Sequence, residues 1–381
     1  MGQIRAIDIR LLGKKRTGDE TVFFNLTREL LALDQENEYL LLTDEQDETI
    51  LAALRVRMGC VGQNNVQIIS LRGKNRFVWN LVTLPWFLAR HAVDIYHTQY
   101  ILPFFVPKRV RIVNHIHDIS FKVYPELIGW KDRLFLALLI PRSLRRANRI
   151  VAPSQFTKNE IVRCYGIHPE KIVVVENALS EDFAIVAKEG DIEAVRQRYH
   201  LPERYILSVG TLQPRKNLPL LITAFALVRK RVPDVVLVLV GNRRGHHFDT
   251  CIDEVIKELS LQEAVIFPGY VEQSDLPVML QGATLFAFPS LYEGFGIPLL
   301  EAMSQGTPVA ASDIPCLREV AADAALYFDP RSIASCEEKL YTLLTDSEQR
   351  VRGVSKGKDR LSLFSWKKSA LSLHHVYQGL R

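Results

Sequence analysis

The sequence predicts an α/β chain of two domains, each built on a parallel β-sheet with crossover helices. Three observations carry this. At 381 residues the chain exceeds the size at which a single hydrophobic core keeps growing. Apolar strand-like runs alternate with helix-patterned runs across short connections, the signature of parallel sheets covered by helices. Between Ala178 and Leu201 the strand signal stops and a polar, acidic, helix-capable stretch takes over, which marks an interdomain connection. The expected division is therefore 1–180, a connection at 181–200, a second domain at 201–364 and a terminal stretch at 365–381.

In the first half the strand IRAIDIRLL (4–12) precedes the helix ETVFFNLTRELLAL (20–33) and the strand EYLLLT (38–43). VQIIS, DIYHT, VRIVNHIH, RIVAPS and KIVVVEN follow as further strands. The second half is more regular. YILSVG, VVLVLVG, AVIFPGY, TLFAFPS and TPVAAS read as strands, separated by the helical runs LPLLITAFALVRKR, FDTCIDEVIKELSL, LPVMLQGA and IPLLEAMSQG. The tail FSWKKSALSLHHVYQGL has the apolar spacing of an amphipathic helix, with Trp366, Leu371, Leu373 and Val376 on the stripe.

Composition narrows the class. Apolar content of 48% with 24% charged residues is that of a globular chain, not a disordered one. The five cysteines (60, 164, 251, 316 and 336) are odd in number and contain no C-x-x-C pair. That pattern favours free thiols in a reducing compartment and disfavours a structural zinc site. The N-terminal run lacks the continuous apolar core of a signal peptide, and no apolar run approaches the length needed to cross a bilayer. A cytoplasmic protein is expected.

The net charge of +5 hides an uneven distribution. Between Arg55 and Arg149 sixteen Lys and Arg face four acids, whereas the first 54 residues hold six basic and eleven acidic side chains. Two stretches, RGKNRFVWNLVTLPWFLAR (72–90) and WKDRLFLALLIPRSLRRANR (130–149), mix positive charge with aromatic and apolar bulk. Such faces suit peripheral contact with anionic lipid headgroups, and equally suit helices whose apolar side is core. No aromatic-interleaved RNA motif or basic zipper is present, so nucleic acid is not an expected partner.

Ligands of open parallel sheets bind beyond the carboxyl ends of the strands, and the chemically suggestive motifs all fall at such ends. After TLFAFPS comes EGFGIPLLE, in which Gly294 and Gly296 allow close backbone approach and Pro298 suits a helix start. A helix start beside such a loop attracts phosphate or hydroxyl oxygens. Glu293 stands on the loop and Glu301 about one turn into the helix. The plainer reading makes Glu301 a helix-dipole partner and Glu293 a solvated loop acid. After YILSVG come Arg215 and Lys216, cations where backbone N–H groups also converge on phosphate; Pro214 and Asn217 equally mark an ordinary turn. His117, followed by Asp118, ends VRIVNHIH, and His115 lies two residues earlier on the same strand face. A histidine there suits a sugar or a backbone carbonyl, with Asp118 setting its orientation; a satisfied structural histidine is the competing reading.

EGFGIPLLEA, GTLQPRKN (210–217), HDISF (117–121) and the closing helix from Trp366 occur in an order that resembles retaining glycosyltransferases of the GT-B fold, family 4, particularly bacterial mannosyltransferases. The resemblance covers nearly the whole chain. It implies two facing Rossmann-like domains with a cleft between them, an N-terminal acceptor domain, a C-terminal nucleotide-sugar domain and a final helix that returns to the N-terminal domain. It also implies a hexosyltransferase using a nucleoside diphosphate sugar, GDP-mannose as first choice, and a glycan or polyprenyl-linked acceptor in polysaccharide synthesis.

By the same resemblance Arg215 and Lys216 bind the diphosphate and stabilise it as leaving group. Glu293 holds donor-sugar hydroxyls and Glu301 ribose hydroxyls, while the backbone at Gly294, Phe295, Gly296 and Ile297 meets sugar and phosphate. Tyr270 and Val271 line the base pocket, and His117 touches the donor sugar. Retention proceeds by same-face substitution in which the departing phosphate oxygen takes the acceptor's proton. The sequence has no Asp-x-Asp for a catalytic metal, and no cofactor is expected. The first loop, LLGKKRTGDETVFF, departs from the family's glycine-rich turn; only Gly18 is carried over, and Asp19 and Glu20 beside it suit helix capping or acceptor hydroxyls. Rival readings are an epimerase or hydrolase on the same fold, a pyridoxal-dependent phosphorylase, and a non-catalytic nucleotide-sugar binder.

Overall fold

A computed structural model of the chain describes residues 2–13, 18–73, 75–184, 186–243, 245 and 248–380. The middle of the first loop (14–17) and parts of the 72–90 and 241–247 stretches therefore lie outside the described residues. The chain forms two compact units. One comprises Met1–Val123, Gly129–Ala178 and Ser365–Arg381; the other comprises Tyr124–Ile128 and Leu179–Phe364.

The strands are β1 (Ile4–Asp8), β2 (Glu38–Thr43), β3 (Val66–Ser70), β4 (Ile95–Gln99), β5 (Arg111–His115), β6 (Arg149–Ala152), β7 (Ile172–Val174), β8 (Tyr205–Val209), β9 (Val236–Val240), β10 (Val265–Ile266), β11 (Leu285–Phe288), β12 (Val309–Ser312) and β13 (Ala325–Phe328). In the first unit they form a sheet of order β3-β2-β1-β4-β5-β6-β7, and in the second a sheet of order β10-β9-β8-β11-β12-β13. Every pairing is parallel. In each sheet the order reverses beside the first strand, β1 or β8, so the strand exits there open onto a crevice between diverging connections.

The strands are apolar runs because both faces of these sheets are covered. Val238, Phe286, Phe288 and Ala311 look into one layer of the second unit, with Leu299, Leu300 and Met303 from the helix Ile297–Ser304. Leu237, Leu239, Leu285 and Ala287 look into the other, with Leu221, Ile222 and Phe225 from the helix Leu218–Arg229. The stretch read as a connection is packed onto this unit: Phe183, Val195 and Tyr199 are buried in its first layer.

Two features differ from the sequence reading. β13, ALYF, is an additional edge strand. The 72–90 stretch is not one helix but three pieces, Arg76–Val78, a π-helical turn Trp79–Thr83, and Leu84–Arg90. The wide turn accompanies the burial of Trp79, whose Nε1 donates to Asp8 at 3.2 Å while the Arg10 guanidinium lies 4.5 Å over its ring.

The C-terminal helix Trp366–Gln378 belongs to the first unit and packs on the helix Gly18–Leu33. Its anchors are polar as well as apolar. Tyr377 Oη lies 2.6 Å from His97 Nδ1, and Ser369 Oγ donates to the Glu176 carbonyl at 2.5 Å. His374 Nδ1 lies 3.2 Å from Asp34, which also pairs with buried Arg5 and accepts from Tyr39 Oη at 2.6 Å.

Burial holds the His97 imidazole down to about 3, with His117 adding to the effect, and burial lowers His115 well below its ordinary value. Both are neutral in the native chain and ionise in the unfolded chain below pH about 6.5. The unfolded state then binds protons that the native state refuses, so stability falls as pH drops from that point, by about 1.4 kcal/mol per pH unit for each such histidine. His115→Leu is expected to flatten the decline of melting temperature on the acid side of neutrality relative to wild type. An unchanged acid slope contradicts the assignment.

Candidate active site

Two loops of the second unit meet at the carboxyl ends of β8 and β11. After β8 the chain makes a short 3₁₀ turn, Pro214–Lys216, and passes through Asn217 at φ 55° into the helix Leu218–Arg229. After β11 the run PSLYEGFG leads into the helix Ile297–Ser304, with Pro298 at its second position. The Leu291 N–H donates to the Arg215 carbonyl at 2.9 Å, tying the loops together. Gly296 stands before the helix at φ 107°, and a Cβ there would sit 2.8 Å from Leu317 Cδ2. Both the backbone angle and the space exclude other residues.

The side chains converge on Glu293. Lys216 Nζ lies 2.5 Å from its Oε1 and Arg215 Nη1 lies 3.3 Å from its Oε2. Arg215 also donates to the Tyr292 carbonyl at 3.4 Å, and Lys216 Nζ sits 5.0 Å over the Phe288 ring. Glu293 is only 8% exposed. Burial pushes its carboxyl up, but Lys216 and then Arg215 outweigh that, and the group titrates below its ordinary value. It is a carboxylate at neutral pH. Two cations face one carboxylate in a partly buried site, where water screens charge less than in bulk solvent. The arrangement suits a bound anion.

Arg215, Lys216 and Glu293 are thus brought together. Gly294, Phe295 and Gly296 continue the same loop, and Ile297 opens the helix on which Glu301 is half-buried. Tyr270 and Val271 lie on a separate loop after β10, following Gly269 at φ 78°; Tyr270 is 81% exposed. Among the described residues no group of three His, Cys, Asp or Glu is arranged to hold a metal ion.

In the first unit His117 follows β5 and is nearly buried. Asp118 does not orient it: that carboxylate accepts from the Ser120 N–H and hydroxyl, each at 2.9 Å. The ring's hydrogen-bond partner is Gln99, whose Oε1 lies 2.7 Å from His117 Nε2. His115 is fully buried behind His117, the rings stacked at 4.4 Å, which excludes His115 from direct ligand contact. Gly18 begins the helix Gly18–Leu33. Glu20 accepts the Gly13 N–H at 3.0 Å and so braces the first loop, while Asp19 Oδ1 lies 4.0 Å from His117 Nδ1. Sequence reasoning misses Gln99, Tyr292 and Phe288. For Gln99 no motif signal exists; for the other two, their position flanking the EGFG turn is the available clue.

Comparison with known proteins agrees with this architecture. Residues 191–360 match the family described as glycosyl transferases group 1, and residues 16–183 match glycosyltransferase family 4. The O-antigen chain mannosyltransferase B of Escherichia coli is 33% identical over 302 residues, covering 77% of this chain and 77% of that protein. The O-antigen chain mannosyltransferase RfbU of Salmonella typhimurium is 31% identical over 216 residues, covering 56% of each chain. Among solved structures, HepE of Anabaena in complex with UDP-glucose superposes with a TM-score of 0.76 at 18% identity, covering 99% of both chains, a likeness of fold. The chain is a glycosyltransferase of the GT-B fold and belongs to family 4, where it is mannosyltransferase-like.

Proposed function

We propose that the chain moves a hexose from a nucleoside diphosphate sugar to a hydroxyl of a glycan or lipid-linked acceptor during polysaccharide assembly, with retention at the anomeric carbon. The observation that carries this is the pairing of two cations, Arg215 and Lys216, on the buried carboxylate of Glu293 at the ends of β8 and β11. Breaking a glycosyl–phosphate bond builds negative charge on the departing diphosphate, and fixed cations in a dry site lower the energy of that state most. Arg215 and Lys216 supply those cations from the protein itself.

The acceptor oxygen attacks the anomeric carbon from the face the phosphate leaves. The departing phosphate oxygen takes the acceptor's proton, so the products are the glycoside and the nucleoside diphosphate. Glu293 acts as a holder of sugar hydroxyls rather than as a nucleophile. Glu301 holds the ribose, the N–H groups of Phe295, Gly296 and Ile297 meet sugar and phosphate, Tyr270 and Val271 flank the base, Gly18 lies against the diphosphate, and His117 bonds a sugar hydroxyl. GDP-mannose is the first donor to test, because two relatives are named as O-antigen mannosyltransferases. An epimerase or hydrolase would instead release nucleotide without glycan product, and a silent binder would release none.

A second reading concerns location. The two basic, aromatic stretches adjoin: Phe77 and Phe135 make an edge-to-face pair at 5.8 Å. Trp86, Trp130, Phe105 and Leu138, in these stretches or in the loop before β5, are each more than half exposed, and Arg90 and Lys131 lie over the two tryptophan rings. Exposed aromatics ringed by cations favour the headgroup region of an anionic membrane. Among the described residues no helix is long and apolar enough to cross one.

In a panel of nucleotide sugars, one donor at about 100 times its Kd is expected to stabilise the wild type by about 2.7 kcal/mol. Arg215→Ala should abolish that gain; a stabilisation that survives removes the cation from the diphosphate site. Glu293→Ala should lower kcat by about 10²–10³, the scale of a lost transition-state contact, while nucleoside diphosphate still binds. Turnover at the wild-type rate excludes Glu293 from the site. Co-sedimentation with vesicles should rise with their anionic lipid content and fall with salt, and Trp86→Ala with Trp130→Ala should weaken it. Binding indifferent to lipid charge and salt contradicts the membrane reading.

A further inference from the structure

We propose that Gln99 is a positioning residue for His117: it fixes the ring tautomer and leaves Nδ1 as a hydrogen-bond acceptor for a ligand hydroxyl. The functional half rests on His117 as a sugar-binding residue; the tautomer itself does not.

Gln99 is the last residue of β4, in register with His115 on β5. The next residue, Tyr100, turns at φ 52°, a conformation that residues with a Cβ adopt only when their surroundings enforce it. The enforcement is visible. Tyr100 N–H donates to the His115 carbonyl at 3.0 Å, Asn114 Nδ2 donates to the Tyr100 carbonyl at 3.1 Å, and Ile101 N–H donates to the Gln99 carbonyl at 2.6 Å. This turn holds the Gln99 side chain where β5 ends. Its Oε1 lies 2.7 Å from His117 Nε2. An amide oxygen only accepts, so Nε2 bears the proton and Nδ1 the lone pair.

The ring has no freedom to rearrange. His115 stacks on it at 4.4 Å and 19°, and the Tyr100 ring tilts against it at 5.7 Å. His117 is 6% exposed, and its Nδ1 is buried without a hydrogen-bond partner. The nearest carboxylate, Asp19, stands 4.0 Å away, beyond hydrogen-bond reach. That carboxylate would draw the proton to Nδ1 if nothing held it on Nε2. Gln99 opposes this. A buried acceptor without a partner is costly, and a ligand hydroxyl that donates to Nδ1 removes the cost.

The test uses the full chain labelled with ¹⁵N at histidine, read by long-range ¹H–¹⁵N correlation, with His117→Ala to assign the resonance. Wild type is expected to carry Nε2–H and an unprotonated Nδ1; a proton on Nδ1 overturns the proposal without reference to catalysis. Gln99→Leu should move the proton toward Nδ1 and lower kcat by about 10–100-fold, the range seen for groups that orient metal-bound imidazoles. Gln99→Glu, which keeps the accepting oxygen, should retain the wild-type tautomer and most of the turnover. An unshifted tautomer in Gln99→Leu, or a Glu variant as impaired as the Leu variant, overturns it. If Gln99→Leu fails to fold, the wild-type spectrum and the Glu variant still decide. His117→Ala with wild-type turnover would remove the sugar contact while leaving the tautomer to be judged on its spectrum.

Discussion

The second unit is organised around an ion cluster that a purely stabilising design would avoid. Desolvating Lys216, Arg215 and Glu293 is expensive, and replacing such groups with apolar side chains is often neutral or favourable for stability. Removing one member alone is different, costing about 3–5 kcal/mol when the partner stays buried and charged. The cluster is thus a constraint once present, and the local structure is arranged to satisfy it. The hydrogen bond from Leu291 to Arg215 joins the two loops, Gly296 supplies a backbone angle no other residue takes easily, and Phe288 at the end of β11 floors the Lys216 ammonium. Without ligand, Glu293 answers part of the positive charge.

The first unit shows the complementary case, polar groups buried as neutral rings. His97, His115 and His117 form a column at the carboxyl ends of β4 and β5, stacked nearly parallel and edged by Phe23. His97 and His115 pack there as neutral rings, because burial disfavours their charged form. The Tyr377 hydroxyl, from the far end of the chain, meets this column at His97. The C-terminal helix is thereby tied to the strand exits that carry His117.

Much of this architecture is legible in the amino-acid sequence. Strands covered on both faces must be continuously apolar, so VLVLV and LFAF announce themselves. The cations and the acid of the second unit are legible as motifs, but their direct pairing is not, because a spacing of 77 residues carries no distance. β13 escapes because ALYF is short and half of it is only partly buried. The 72–90 stretch reads as one amphipathic segment because the insertion of Trp79 into the core is a tertiary event without a local signal. Asp118 looks like the orienting partner of His117 by adjacency, yet a turn beginning at Ser120 claims its carboxylate. Gln99 gives no signal at all: a glutamine at a strand end gains meaning only from the residue that the neighbouring strand brings beside it.

The most direct test of the central claim is a structure determined with a nucleoside diphosphate bound. The account predicts diphosphate oxygens within hydrogen-bond distance of Lys216 Nζ and the Arg215 guanidinium, at the mouth of the EGFG turn. A nucleotide seated elsewhere, with the pairing of Lys216, Arg215 and Glu293 undisturbed and no phosphate beside it, would contradict it.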